Sequence, residues 1–141
     1  MLRTLFSLCF VTASACGQSP LADNQPVKEA SELQLPEVLQ GTWSPRGEGF
    51  QEFGELALAA DSLSWGTCTK TAYRVLRVIE QAYYLELLRS PPCTLGFPAS
   101  FLILAPSDRA LEVSICMRAE ELDRPAPKRR CAMGILNKKN E

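Results

Sequence analysis

Residues 71–89 read TAYRVLRVIEQAYYLELLR, and this stretch decides between a helical and a β-sheet domain. Arg, Leu, Glu and Gln favour a helix, which is the main competing interpretation. The β-branched and aromatic residues favour strands, and the apolar positions alternate clearly from Tyr83 to Leu87. We therefore predict two antiparallel strands, 71–79 and 82–89, joined by a turn at Glu80-Gln81.

The rest of the chain from Gly41 onward repeats this organisation, with short apolar runs separated by turn residues about every 8–14 positions. Such spacing is typical of an all-β sandwich or barrel. Arg74 and Arg77 are the weak point, because they interrupt both faces of their strand. We predict an all-β fold, a small antiparallel up-and-down barrel of about eight short strands. The predicted strands span 41–45, 53–59, 62–66, 71–79, 82–89, 99–105, 110–117 and 130–137.

The composition limits the function. The chain has 141 residues, 46% of them apolar and 22% charged, which fits about one domain. A formal net charge of −1 argues against nucleic-acid binding driven by electrostatics. The chain contains no histidine, which excludes Ser-His and Cys-His nucleophiles and HExxH zinc sites. We expect no catalysis, no cofactor and no metal site.

The N-terminus has the features of a bacterial secretory signal over residues 1–15: one positive charge, a short apolar stretch and small residues before a cleavage site. The sequence ASACG at residues 13–17 resembles the lipobox of bacterial lipoproteins, with Ala13 where that motif usually has leucine. The resemblance implies that Cys16 is acylated and becomes the mature N-terminus, and Gly17 after it suggests the outer membrane. Ordinary signal peptidase would cut the same bond and release a soluble periplasmic protein.

The number of cysteines favours acylation. The chain has six cysteines. Loss of the signal and acylation of Cys16 would leave four, which can pair completely in an exported protein. A turn at Glu80-Gln81 makes the numbers of antiparallel partners add to about 161, as those of Cys68 and Cys93 do. We predict the disulfides Cys68–Cys93 and Cys116–Cys131. The alternative, a thiolate metal site, has no CxxC pair to support it.

Residues 16–35 are polar and contain two prolines, which predicts a flexible tether before a domain over 36–141. The segment Leu39 to Trp43 is similar to the Gly-x-Trp signature of lipocalins and related calycin barrels. The resemblance implies that Gly41 permits the bend into the barrel and that Trp43 closes the barrel floor. We expect a largely filled interior, with a ligand pocket as the alternative. The candidate filling side chains are Phe50, Phe53, Leu56, Leu58, Trp65, Tyr83, Leu85, Leu87, Phe101, Ile103, Val113 and Ile115.

A basic loop is the strongest charge feature. Arg124, Lys128, Arg129 and Arg130 lie, with two prolines, in the segment that Cys116–Cys131 would close. A clamped basic loop suits an acidic protein surface, lipid phosphates or peptidoglycan carboxylates. The alternative is a loop that only keeps this end of the barrel in solution.

Acidic residues surround the first turn of the predicted barrel. Paired carboxylates can hydrolyse glycosides, but scattered acids at strand ends are far more often solvated. These acidic residues are Glu48, Glu52, Glu55 and Asp61.

Together these features predict a lipid-anchored, non-catalytic binding module of the cell envelope. We expect a protein partner, with the module as inhibitor of, or immunity factor against, a cell-wall-acting enzyme, and with loops 118–130 and 45–52 as contacts. In size, location and architecture the chain resembles the envelope lysozyme inhibitors. The alternatives are a lipocalin-like carrier of a small apolar ligand and a structural lipoprotein of envelope assembly.

Overall fold

Eight strands follow one another around a closed barrel, each antiparallel to its neighbours, with β8 returning to β1. The computed structural model describes residues 33–88 and 93–140. The strands are β1 Gly41–Arg46, β2 Leu56–Leu58, β3 Ser62–Trp65, β4 Cys68–Ile79, β5 Ala82–Leu88, β6 Phe101–Ser107, β7 Ala110–Cys116 and β8 Ala132–Lys138. Short 3₁₀ helices span Glu37–Leu39, Gln51–Phe53, Ala119–Asp123 and Ala126–Lys128. The predicted fold class and the approximate positions of all eight strands are confirmed.

The β4–β5 hairpin turns at Glu80-Gln81 as predicted, with Ile79 paired to Ala82. Both turn residues have positive φ, 49° at Glu80 and 70° at Gln81. A two-residue hairpin of this kind needs left-handed backbone at both positions, because that twist matches the twist of the strands.

A bulge in β4 explains how Arg74 and Arg77 fit one strand. Val75 pairs with Leu85 and Arg77 with Tyr84, so Leu76 is the extra residue. Two residues three positions apart lie on opposite faces of a regular strand. The inserted residue restores the phase, and both arginines lie on the outer face of the barrel.

The barrel interior is filled by its own side chains. Fully buried leucine, isoleucine and valine side chains come from β2, β5, β6, β7 and β8. They include Leu56, Leu85, Leu102, Leu104, Leu111, Val113, Ile115 and Leu136. These side chains expose no surface, so they border no void large enough for a water molecule.

Two predicted interior residues lie on the other face of β6. Phe101 and Ile103 belong to a second cluster on the outer surface of the barrel, whereas Leu102 and Leu104 point inward. The run Phe-Leu-Ile-Leu is apolar at every position, so its sequence carries no alternation that could set the phase.

The ends of the barrel are closed by aromatic residues. At the barrel floor, where the described chain begins, Trp43 Nε1 donates to the Leu39 carbonyl oxygen (2.9 Å). At the opposite end the rings of Phe50 and Phe53 meet the Trp65 indole edge-on, with centroids 5.1 and 5.3 Å away. Phe50 lies against Gly134, where a Cβ atom would come within 2.4 Å of the phenyl ring.

Two predicted boundaries are corrected. The tether was expected to extend to residue 35, but Leu35 is buried in the core and Leu33 packs against it. The second strand was expected over 53–59, but it begins only at Leu56, since Gln51–Phe53 forms a 3₁₀ turn.

Candidate functional site

The segment 117–130 forms a loop whose ends are joined by a disulfide. The Cys116–Cys131 bond brings the two Cα atoms to 4.6 Å of each other, which confirms the predicted pairing. Cys116 ends β7 and Cys131 precedes β8, so the loop leaves and re-enters the sheet at neighbouring strands. We call residues 117–130 the clamped loop.

The clamped loop folds back onto the outer face of the barrel and is anchored there. Leu122 is buried in the outer cluster, with Tyr84 of β5 and Ile103 of β6. The side chain of Glu121 is also buried, and its carboxylate accepts a hydrogen bond from the Arg130 backbone N–H (2.7 Å). The same carboxylate pairs with Arg124 Nη1 at 3.3 Å. A buried charge with two partners holds the two halves of the loop together.

Two arginines stack on the ring of Tyr84. The Arg77 guanidinium lies 4.8 Å from the ring centroid and pairs with Asp123 at 2.8 Å. Arg129 lies 5.7 Å from the same centroid, and its Nη2 donates to the Tyr84 hydroxyl oxygen (3.0 Å). Its Nε also donates to the Arg124 carbonyl oxygen at 2.8 Å. The Arg129 contacts with Tyr84 and the Arg77–Asp123 ion pair thus tie the loop to the barrel.

The predicted binding residues therefore fall into two groups. Arg129 is half-buried and its donors bond residues of this chain. Arg124, Lys128 and Arg130 are exposed. In the described parts of the chain, no acceptor bonds the side chains of Lys128 and Arg130. These two cations are available to a partner, whereas Arg129 positions the loop.

A groove of about 740 Å³ runs between the clamped loop and the sheet. Its base consists of outward-facing residues of β5, β6 and β7, such as Ala82, Ile103 and Ser114. Its rim carries charges of both signs, including Arg124 and Glu80. A base of apolar and small polar side chains with a charged rim suits an extended peptide segment or a protein side chain.

The acidic residues occupy several connections. Glu48 and Glu52 lie between β1 and β2, Glu55 directly precedes β2, and Asp61 lies in the β2–β3 turn. Glu55 accepts from Lys139 Nζ at 2.8 Å, and this bond holds the pKa of the carboxyl below its ordinary value. Within residues 33–88 and 93–140, no group of three or more His, Cys, Asp or Glu side chains is arranged to hold a metal ion.

Gly41 and Trp43 lie at the barrel floor. Gly41 has φ of 115°, a backbone conformation that favours glycine, at the first residue of β1. Trp43 is buried beneath the floor segment, and Lys138 Nζ lies 5.6 Å from its ring centroid. The same Nζ donates to the Val38 carbonyl oxygen (2.7 Å), which joins the last strand to the floor segment.

The predicted acylation site, Cys16, and the predicted signal peptide lie outside the described residues, as does most of the predicted tether. No helix in the described parts of the chain is long and apolar enough to cross a membrane.

Comparison with known proteins adds no relatives. No protein-family model matches the chain, and it matches neither a curated protein nor a solved structure.

Sequence reasoning missed three residues that hold the clamped loop: Arg77, Tyr84 and Glu121. Arg129 and Tyr84 are separated by 45 positions, and Arg77 and Asp123 by 46. The single available signal was the disulfide itself, which implied a loop folded near its own strands. It did not imply which outer face would receive that loop.

Proposed function

We propose that this chain is a non-catalytic binding module, and that its clamped loop binds a protein partner. The observation that carries the proposal is that some residues of the loop anchor it while others stay exposed. Its base is fastened to the barrel by Leu122 and Arg129, and Glu121 holds its two halves together. The side chains of Lys128 and Arg130 are exposed and have no partner within the described structure. The filled interior supports a surface site over a ligand inside the barrel.

The loop is suited to binding because its backbone is already ordered before a partner binds. Immobilising a rotamer-rich side chain or a free loop costs about 0.5–1.5 kcal/mol per side chain on association. Here the disulfide and the contacts to Tyr84 fix the backbone before a partner arrives. A partner then meets Lys128 and Arg130 on a backbone whose position is already set.

The charges suggest the chemistry of that partner. Residues 117–130 contain five Lys and Arg and three Asp and Glu, so the loop has net charge +2 in a chain of net charge −1. Glycan-cleaving enzymes carry a pair of carboxyl groups at roughly 5–9.5 Å in an open cleft. Two exposed cations on a loop with a fixed backbone complement such a cleft, which supports a cell-wall glycosidase as the partner.

We propose the place of the chain in the cell from the sequence of its N-terminus. Acylation of Cys16 would anchor the chain to a membrane of the envelope. We propose that this membrane is the outer membrane. Sixteen residues lie between Cys16 and Leu33, so the barrel floor can stand at most about 60 Å from the anchor. The clamped loop starts from the opposite end of the barrel, which leaves it accessible to enzymes in the surrounding compartment.

The test compares inhibition by the full exported chain and by its Lys128→Ser/Arg130→Ser variant. The probes are purified peptidoglycan glycosidases, including a lysozyme, and the readout is the rate at which a cell-wall suspension clears. We expect the chain to inhibit at least one probe and the double variant to need at least tenfold more protein for half-inhibition. The matched control, Lys70→Ser, removes an exposed cation on β4 and should inhibit like the parent chain.

Two results would refute the proposal. Equal inhibition by the double variant and the control would exclude the clamped loop as the contact. Absence of binding to every glycosidase in the panel would exclude that class of partner.

A further inference from the structure

The outer face of β8 carries an exposed apolar pair. The Met133 and Ile135 side chains are 49% and 41% exposed. Both point away from the barrel interior, on a surface that water-facing strands usually line with polar residues. Gly47 and Gly49 border the same shallow depression and leave the pair uncovered from the β1 side. An uncovered apolar pair of this kind is typical of a contact surface.

Opposite charges flank this pair at one level of the sheet. Ile135 pairs with Arg46 of β1 on one side and with Glu112 of β7 on the other. The three residues form one cross-strand row, with the charged residues roughly 9–10 Å apart across two strand spacings. Neither charge forms an ion pair or a side-chain hydrogen bond within the described parts of the chain. Both are therefore free to pair with a partner.

We propose that this face binds a second copy of the chain about a two-fold axis that runs along β8. Such an axis lies in the plane of the interface and exchanges the two sides of the strand. It places Arg46 of one copy opposite Glu112 of the other, twice, with Ile135 against Ile135 on the axis. The surface is complementary to itself, as an isologous dimer requires. A two-fold axis across the strands would instead oppose Arg46 to Arg46 and Glu112 to Glu112.

The same axis agrees with the proposed anchoring of the chain in a membrane. Rotation about β8 preserves the direction of the strand, so the floors of both barrels point to the same side. Chains anchored in one membrane can adopt this arrangement without turning over. An axis across the strands would point the two barrel floors in opposite directions.

The dimer is expected to be weak and to depend on local concentration. The patch offers four main side chains per copy, whereas standard interfaces bury about 20–30 residues on each side. Anchoring in a membrane would offset this small size, since confinement raises the effective concentration of the two chains. We therefore expect association in the membrane and mostly monomers in dilute solution.

The experiment measures photo-cross-linking of the full chain in a bacterial host that exports it. A photoreactive phenylalanine replaces Ile135, which faces its own copy on the axis, and the yield of covalent dimer is quantified on a gel. The position control places the same group at Leu88, which is 44% exposed on β5. We expect a strong dimer band from position 135 and at most one fifth of that yield from position 88.

Charge reversal then tests the arrangement of the two copies. Arg46→Glu and Glu112→Arg should each lower the dimer yield at least fivefold, because each opposes like charges across the axis. The combined Arg46→Glu/Glu112→Arg chain should recover to within twofold of the parent, since the pairs are restored with reversed sign. Lys70→Glu, an equal change of charge elsewhere, should leave the yield unchanged.

Each remaining outcome overturns the proposal. Absence of a dimer band, or a double reversal that does not recover, would exclude the two-fold arrangement. A cross-link from position 135 to a different protein without self-cross-linking would assign the face to a foreign partner. The position-135 and Arg46→Glu results do not bear on the clamped loop, because those changes touch neither the loop nor the groove beside it. Glu112 also lines that groove, so the two Glu112→Arg chains must inhibit glycosidases like the parent for the two proposals to be judged separately.

Discussion

The two disulfides close loops of similar length in different surroundings. Cys68 and Cys93 are 25 positions apart, and Cys116 and Cys131 are 15 apart. On chain entropy alone they would stabilise the fold almost equally, by about 3.5 and 3 kcal/mol. The first bond, however, lies within the main core, whereas the second belongs to a small cluster on the outer surface.

This difference separates the scaffold from the proposed binding element. Around the first disulfide, Trp65 and Leu95 are buried on the same side of the barrel wall as the core. Around the second, Leu122 is the one fully apolar loop side chain buried among the described residues of the clamped loop. Loss of the first bond should therefore weaken the whole domain, and loss of the second should mainly release the loop.

Removal of each disulfide in turn is the most direct test of the difference between the two bonds. We expect Cys68→Ala/Cys93→Ala to lower the free energy of unfolding by about 3–5 kcal/mol, because loop entropy and core packing are both lost. Cys116→Ala/Cys131→Ala should cost less, at most about 3 kcal/mol. Urea unfolding measures both values. Hydrogen exchange should show rapid exchange confined to residues 119–130 in the second variant, and uniform acceleration over all strands would contradict the division.

Truncation of Leu122 tests the same difference between loop and barrel without changing a disulfide. Leu122→Ala should cost about 2–3 kcal/mol of local stability, since it empties the centre of the outer cluster. The expected result is faster proteolytic cleavage within the clamped loop at an almost unchanged thermal midpoint of the barrel. Ala126→Gly, at an exposed site in the same loop, is the matched control. A large fall in the midpoint for Leu122→Ala would show that loop and barrel unfold together.

The stability of the protein at alkaline pH tests the barrel alone, because it depends on Tyr73 of β4. Burial of the hydroxyl, and next the nearby Asp61 carboxylate, raise the pKa of Tyr73 from 10.0 to about 12. The unfolded chain loses this proton near pH 10 and the folded chain near pH 12, so stability present below pH 10 is lost as the pH rises to 12. The parent should lose about 2 kcal/mol more than Tyr73→Phe over this interval. Urea unfolding at pH 9–12 measures this, with Tyr83→Phe as control, and equal losses would refute it.

Much of the fold could be predicted because its signals are local. Alternating apolar residues in β5 and β7, and turn residues between the strands, define an antiparallel meander without reference to distant contacts. The Cys68–Cys93 pairing was also accessible, since a hairpin turn sets the register of the residues beyond it. The bulge at Leu76 shifts that register by one position, and the two Cα atoms still lie 4.9 Å apart.

The candidate site was predictable only in outline. The run Lys128-Arg129-Arg130 contains three cations that look equivalent in the sequence. In the structure, Arg129 bonds Tyr84, the Arg130 backbone bonds Glu121, and Lys128 is exposed. Local sequence cannot assign these different roles, because each depends on a residue of another strand or of the far side of the loop.

The sequence by itself determined the all-β class, the order of the strands and the two disulfides, because alternation, turn chemistry and cysteine number are properties of short segments. Only the tertiary structure decided which face of β6 points inward, which side of the barrel receives the clamped loop, and that Arg46 and Glu112 flank Ile135. The first two outcomes depend on packing between distant residues, and the third also on closure of the barrel between β1 and β8. Closure pairs residues of β1 and β8 that are about 90 positions apart, and no local sequence pattern determines which residues pair.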